Sequence, residues 1–145
     1  MSPASGLLLL LLLLSLLSAP ACGKKGPPRV PKKTFETAVL DLRGGWADGE
    51  VQLRGRISHP ELEEEITGCR VSYAEFPPGK TPCETCPIEF QGSNGFGPEV
   101  VTEEGFLCRV PGKDRGLVYF FQVRLAGPGN VLGPPSNTVR VEPKQ

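Results

Sequence analysis

Leu117-Val118-Tyr119-Phe120-Phe121-Gln122-Val123-Arg124-Leu125-Ala126 alternates with a period of two. Leu117, Tyr119, Phe121, Val123 and Leu125 fall on one face, the pattern of a strand with one side in a core. Gly127-Pro128-Gly129-Asn130 follows as a turn. Glu50 to Ser58 repeats the alternation, with Val51, Leu53, Gly55 and Ile57 facing one way and Gln52, Arg54 and Arg56 the other. Ile66 to Phe76 does so again, with Cys69, Val71 and Tyr73 inward. Weaker strands are expected at Thr37–Leu42, at Ile88-Glu89-Phe90, over Glu99–Val110 as one interrupted or two brief pieces, and at Ser136–Glu142. Between them, Gly44-Gly45 and Asp48-Gly49 break the chain around Trp46. His59 to Glu65 forms an acidic loop with room for one helical turn, Pro77-Pro78-Gly79 closes the third strand, and Gly92 to Pro98 reads as a flexible loop. No convincing helix appears. Seven short strands with regularly spaced turns argue for an all-β, antiparallel sandwich.

Family resemblance sharpens that expectation. Ile66-Thr67-Gly68-Cys69-Arg70-Val71-Ser72-Tyr73 resembles the third strand of a fibronectin type III domain, an immunoglobulin-like sandwich. Tyr119 to Leu125 resembles its sixth strand, and Gly133-Pro134-Pro135-Ser136-Asn137-Thr138-Val139 the approach to its seventh. The resemblance spans Phe35 to Pro143 and implies a spacer or recognition module. In that family the second strand ends in a buried Trp. Here Gly55 or Arg56 stands at that place and Trp46 comes earlier, so the core must be filled in another way. Tyr119 is expected to bond a nearby backbone group, as the corner tyrosine of such sandwiches does.

The chain opens on an apolar run, Gly6 to Leu17, shorter than the roughly 20 residues that span a bilayer. It ends in Ser18-Ala19-Pro20-Ala21-Cys22, and small residues with a proline leave an extended segment open to a peptidase. This resembles a bacterial lipoprotein signal, whose cut leaves Cys22 as a lipid-bearing first residue. Cys22-Gly23-Lys24-Lys25-Gly26-Pro27-Pro28 is similar to the mature start Cys-Gly-x-Lys-Gly-Pro of a group of short bacterial lipoproteins. In one such family the lipoprotein attaches to the outer-membrane machinery that inserts lipopolysaccharide, which implies an envelope protein as partner. Gly23, where an Asp would retain a lipoprotein at the inner membrane, implies the outer membrane, facing the periplasm. Ala19-Pro20-Ala21 also fits an ordinary secretory cut that adds no lipid. The expected organisation is a signal peptide at 1–21, an acylated, palmitate-bearing Cys22 with a basic proline-rich tether through 33, and the sandwich at 34–143. Several acyl chains on one Cys hold a membrane firmly.

Four cysteines remain beyond Cys22: Cys69, Cys83, Cys86 and Cys108. In an exported chain an even set reads as disulfides with three possible pairings. Cys69 and Cys108 both face inward from different strands, and Cys83-Glu84-Thr85-Cys86 is close enough to close on itself. Cys69–Cys108 with Cys83–Cys86 is the favoured arrangement. A redox dithiol at Cys83 and Cys86 is the competing function, but Pro82 and Pro87-Ile88-Glu89-Phe90 flank it as loop and strand where reactive pairs sit at a helix start. Zinc on four thiolates would need a second close pair, and haem attachment a His where Pro87 stands.

The remaining chemistry is sparse. His59 is the only histidine and lies beside Pro60 in the acidic loop. Glu61, Glu63, Glu64 and Glu65 lack the pattern of a calcium loop. Gly92 to Gly97 matches no phosphate fingerprint. The formal net charge is zero in 145 residues, which gives no footing for nucleic acid. The chain thus reads as a non-enzymatic, membrane-anchored lipoprotein without metal or cofactor. Its contacts would be membrane lipid through Cys22 and an envelope protein.

Overall fold

The computed structural model describes residues 34–83 and 85–144. The expected signal peptide, Cys22 and the tether lie outside the described residues. Eight strands form: β1 (Val39–Ala47), β2 (Glu50–Ile57), β3 (Gly68–Phe76), β4 (Gly92–Phe96), β5 (Val101–Thr102), β6 (Gly105–Val110), β7 (Val118–Ala126) and β8 (Val139–Val141). They build two four-stranded antiparallel sheets, β1-β2-β6-β5 and β4-β3-β7-β8. The chain makes a hairpin in the first sheet, crosses for β3 and β4, returns for β5 and β6, and crosses again for β7 and β8. This is the two-sheet order of an immunoglobulin-like sandwich.

Why these segments pair is visible in their side chains. The nine residues of β7 run beside β3 over its whole length, with Val71 opposite Val123 and Tyr73 opposite Phe121. The inward face of β7 is fully buried: Tyr119, Phe121, Val123 and Leu125 meet Val51 and Leu53 of β2 and Val110 of β6 in one core. Each such side chain contributes about 1.5–3 kcal/mol of burial. Tyr119 stacks on Phe121 at 5.6 Å between ring centres. The β1–β2 hairpin turns on Asp48 and Gly49, both with positive φ (51° and 86°). That is the backbone a two-residue type I′ turn requires, and it explains the Asp-Gly pair.

The structure departs from the sequence expectation at the weaker strands. Ile88-Glu89-Phe90 is not a strand, and the expected flexible loop supplies β4, held by pairing with β3 from Cys69↔Phe96 to Tyr73↔Gly92. The first strand begins later and continues through Gly44-Gly45, so Trp46 lies in β1 and not in a turn. Glu99–Val110 holds two strands, which raises the expected seven to eight. The acidic loop winds into a 3₁₀ turn at Pro60–Glu65.

The absent tryptophan of β2 is also accounted for. At Gly55 the β1 backbone bulges between Leu40 and Arg43, and a Cβ there would strike the side chain of Val39. Val39, Leu42 and Phe106, the last directly across from Gly55, are buried around this point. Trp46 instead approaches Tyr119 edge-on at 6.4 Å, and its indole N–H donates to the Glu142 carbonyl at 2.8 Å.

Candidate functional site

The long connection from β3 to β4 is the most elaborate surface feature. It leaves β3 through a turn in which the Lys80 N–H donates to the Pro77 carbonyl at 3.0 Å. It tightens again where the Cys86 N–H donates to the Cys83 carbonyl at 3.0 Å. Cys83 and Cys86 are joined by a disulfide, with Cα atoms 5.1 Å apart. The return is fixed by Gln91, whose backbone N–H donates to the Tyr73 carbonyl at 2.8 Å. The Gln91 side chain accepts from the Glu75 N–H at 3.2 Å and donates to the Glu75 carbonyl at 3.3 Å. A side chain thereby extends the β3–β4 ladder by one rung.

This connection lies against the outer face of the second sheet. Phe120 points away from the core, yet it is 7% exposed, and it meets Phe76 edge-on at 5.8 Å. Between the connection and the sheet runs a groove of about 500 Å³ lined by Thr85, Cys86, Pro87, Ile88, Phe120, Thr138 and Arg140. Its floor is aromatic and its rim carries two hydroxyls and one guanidinium. Arg140 lies 5.9 Å from the Phe120 ring centre and pairs with Glu142 at 2.7 Å. A flat apolar floor with a few polar groups at the margin is suited to a protein segment. The alternation in β7 places Phe120 outward but gives no sign that a loop covers it.

The other two cysteines differ from the favoured pairing. Cys69 and Cys108 are buried free thiols and no bond joins them. They face each other from opposite sheets: Cys69 lies beside Leu125 on β3, and Cys108 beside Leu53 on β6. The Cys69 thiol is pushed far up, first by its hydrogen bond with Cys108 and then by burial. The pair sits inside an apolar core, which is where small buried thiols pack well. The four cysteines are therefore not gathered at one point, as zinc would need. Among the described residues no cluster of three or more His, Cys, Asp or Glu side chains stands ready for a metal.

Tyr119 takes the corner role expected of it. Its hydroxyl accepts from the Asp114 N–H at 2.9 Å, five residues upstream. Burial pushes its phenol up, with the Asp114 bond acting in the opposite direction. Lys113 lies over the Tyr73 ring at 3.3 Å from its centre, and burial lowers its ammonium. His59 contacts the Ser58 hydroxyl through Nδ1 at 2.9 Å, and that hydroxyl accepts from the Ala38 N–H. These contacts fasten the start of β1 to the end of β2. The glutamates of the 3₁₀ turn lie at the surface.

No protein-family model matches the chain, and no similar sequence is found among curated proteins. Among solved structures the chain is similar to a Fn3-like protein from Clostridium thermocellum. That likeness has 13% identity and a TM-score of 0.42, and covers 74% of this chain and 93% of that one. The fold itself is established by the strand order and registers described above. Among the described residues no helix is long and apolar enough to cross a membrane.

Proposed function

We propose that this chain is a bacterial envelope lipoprotein whose β-sandwich is a non-catalytic binding module. In this reading residues 1–21 are removed, Cys22 carries the acyl chains, and residues 23–33 hold the sandwich off the outer membrane in the periplasm. The groove under the Cys83–Cys86 turn receives a segment of an envelope protein. The observation that carries the binding part is that groove: a stapled turn, a side-chain rung at Gln91 and the buried ring of Phe120 hold an open surface in fixed shape. Pre-set surfaces lose little ordering entropy on association. The anchoring part rests on the pattern around Cys22.

The test is photo-crosslinking in native membranes from a reactive residue placed at Thr138, in the groove, with the same residue at Glu61, on the 3₁₀ turn, as control. A discrete protein adduct from Thr138 and none from Glu61 is the expected result. The same products from both positions, or none from either, would reduce the sandwich to a spacer.

A further inference from the structure

The outer face of the first sheet, on the far side of the sandwich from the groove, carries an unbalanced group of arginines. Arg43 of β1 stands directly across from Arg54 of β2, and Arg109 of β6 stands directly across from Gln52. Like charges placed opposite one another destabilise a sheet. Arg56 on the same face is compensated by its ion pair with Asp41. Among the described residues the only other ion pair is Arg140–Glu142, so Arg43, Arg54 and Arg109 are in direct contact with no carboxylate of the described residues. Glu50, the next outward position on β2, makes no ion pair with them.

Two of these arginines, Arg43 and Arg54, border a hollow. Across from Gln52 the sheet has Gly45, and a methyl placed there would meet nothing within 4 Å. The hollow is about 300 Å³, with Gly44, Gly45 and Trp46 at its base and Arg43, Arg54 and Gln52 on its walls. Gln52 is 9% exposed, and its Oε1 accepts from Arg54 Nη2 at 3.0 Å. That bond orients the Arg54 fork and turns the amide oxygen toward it. The Gln52 NH₂ donates to nothing among the described residues. The Trp46 N–H is already committed to Glu142. The walls therefore offer two guanidinium forks and an amide NH₂, all donors, beside net positive charge.

Such a set calls for an anion with more than two acceptor oxygens. A carboxylate or a phosphodiester offers two, whereas a phosphate monoester offers three, and the planar guanidinium fork pairs with its oxygens two at a time. We propose that this hollow binds a monoester phosphoryl group, supplied by a lipid headgroup that ends in phosphate or by free phosphate. The site does not depend on the groove or on acylation of Cys22.

The test uses isotope-labelled full chain in uncharged maltoside micelles, followed by nuclear magnetic resonance. One arm adds inorganic phosphate, and the other adds phosphatidic acid to the micelles. Saturable shifts of the Gly45 amide and the Arg54 Nε–H in either arm are expected, and the responding arm identifies the source. The double variant Arg43→Gln/Arg54→Gln should raise the midpoint by about tenfold or more. Gly45→Val, which fills the hollow and keeps every charge, should weaken binding similarly. Arg70→Gln, at an exposed position of β3 in the other sheet, should leave it unchanged. Absence of a saturable shift in both arms would overturn the proposal. So would equal binding by the Gly45→Val variant, since that would mean diffuse attraction to a basic face.

Discussion

Tyr119 joins three parts of the molecule: its ring stacks on Phe121, Trp46 meets its face, and its hydroxyl holds the Asp114 N–H. Tyr119→Phe removes the acceptor and leaves that N–H without its partner, at a cost of about 1–2 kcal/mol. Urea unfolding with an unchanged slope would measure it. The raised phenol pKa adds a pH signature. The folded state keeps the proton at pH values where the unfolded chain, with its ordinary value of 10.0, releases it. The stability from this group is therefore intact below pH 10 and lost as pH climbs through the folded value. Lys113 contributes with the opposite sign in the same range, because its ammonium is lowered by burial. Subtracting the Tyr119→Phe profile from that of the unaltered chain isolates the tyrosine. Thr37 is a different case. Its Oγ1 is buried and has no hydrogen-bond partner among the described residues. Thr37→Val removes an unsatisfied hydroxyl at nearly constant shape, so its denaturation midpoint should rise, by about 1 kcal/mol in stability.

At the level of the strand, the exposed edge of β1 is closed by a side chain. Asn137 Oδ1 accepts from the Leu42 N–H at 2.8 Å, and Asn137 Nδ2 donates to the Leu42 carbonyl at 3.0 Å. The side chain thus acts as a short strand partner for β1. Asn137→Ala should cost about 1–3 kcal/mol by denaturant unfolding, and hydrogen exchange should quicken at Leu42 before it does at Val123 in the centre of β7. The same scale shows what the sequence could reveal. β2, β3 and β7 were legible because Val51, Leu53, Val71, Phe121 and Val123 keep strict alternation and all lie in the core. β1 was misjudged at Gly44-Gly45, where glycine serves close approach of the sheets: a Cβ at Gly44 would come within 2.9 Å of Leu53 and Val141. β4 was missed because Gly92-Ser93-Asn94-Gly95 has the composition of a loop, and only pairing with β3 makes it a strand. The groove was hidden for a related reason. It depends on how the chain from Pro77 to Gln91 lies over Phe120, a tertiary fact that leaves no periodic trace.

For the molecule as a whole, the cysteines divide by depth. Cys83 and Cys86 form a surface staple, while Cys69 and Cys108 are sealed between the sheets. An alkylating reagent should leave Cys69 and Cys108 untouched in the folded protein and label both after unfolding, because both thiols are buried between the sheets. Labelling of the folded protein would mean that the two sheets open readily. Failure to label the unfolded chain would mean that the two sulfurs are joined. These properties suit a compact body presenting two different faces, a half-apolar groove on one sheet and an arginine-lined hollow on the other. What would place that body at a membrane is the thiol of Cys22. The most direct test is the intact mass of the protein isolated from its own cells. A chain beginning at Cys22 and carrying acyl groups is the predicted species. An unacylated chain, whether it begins at Cys22 or elsewhere, would contradict the account.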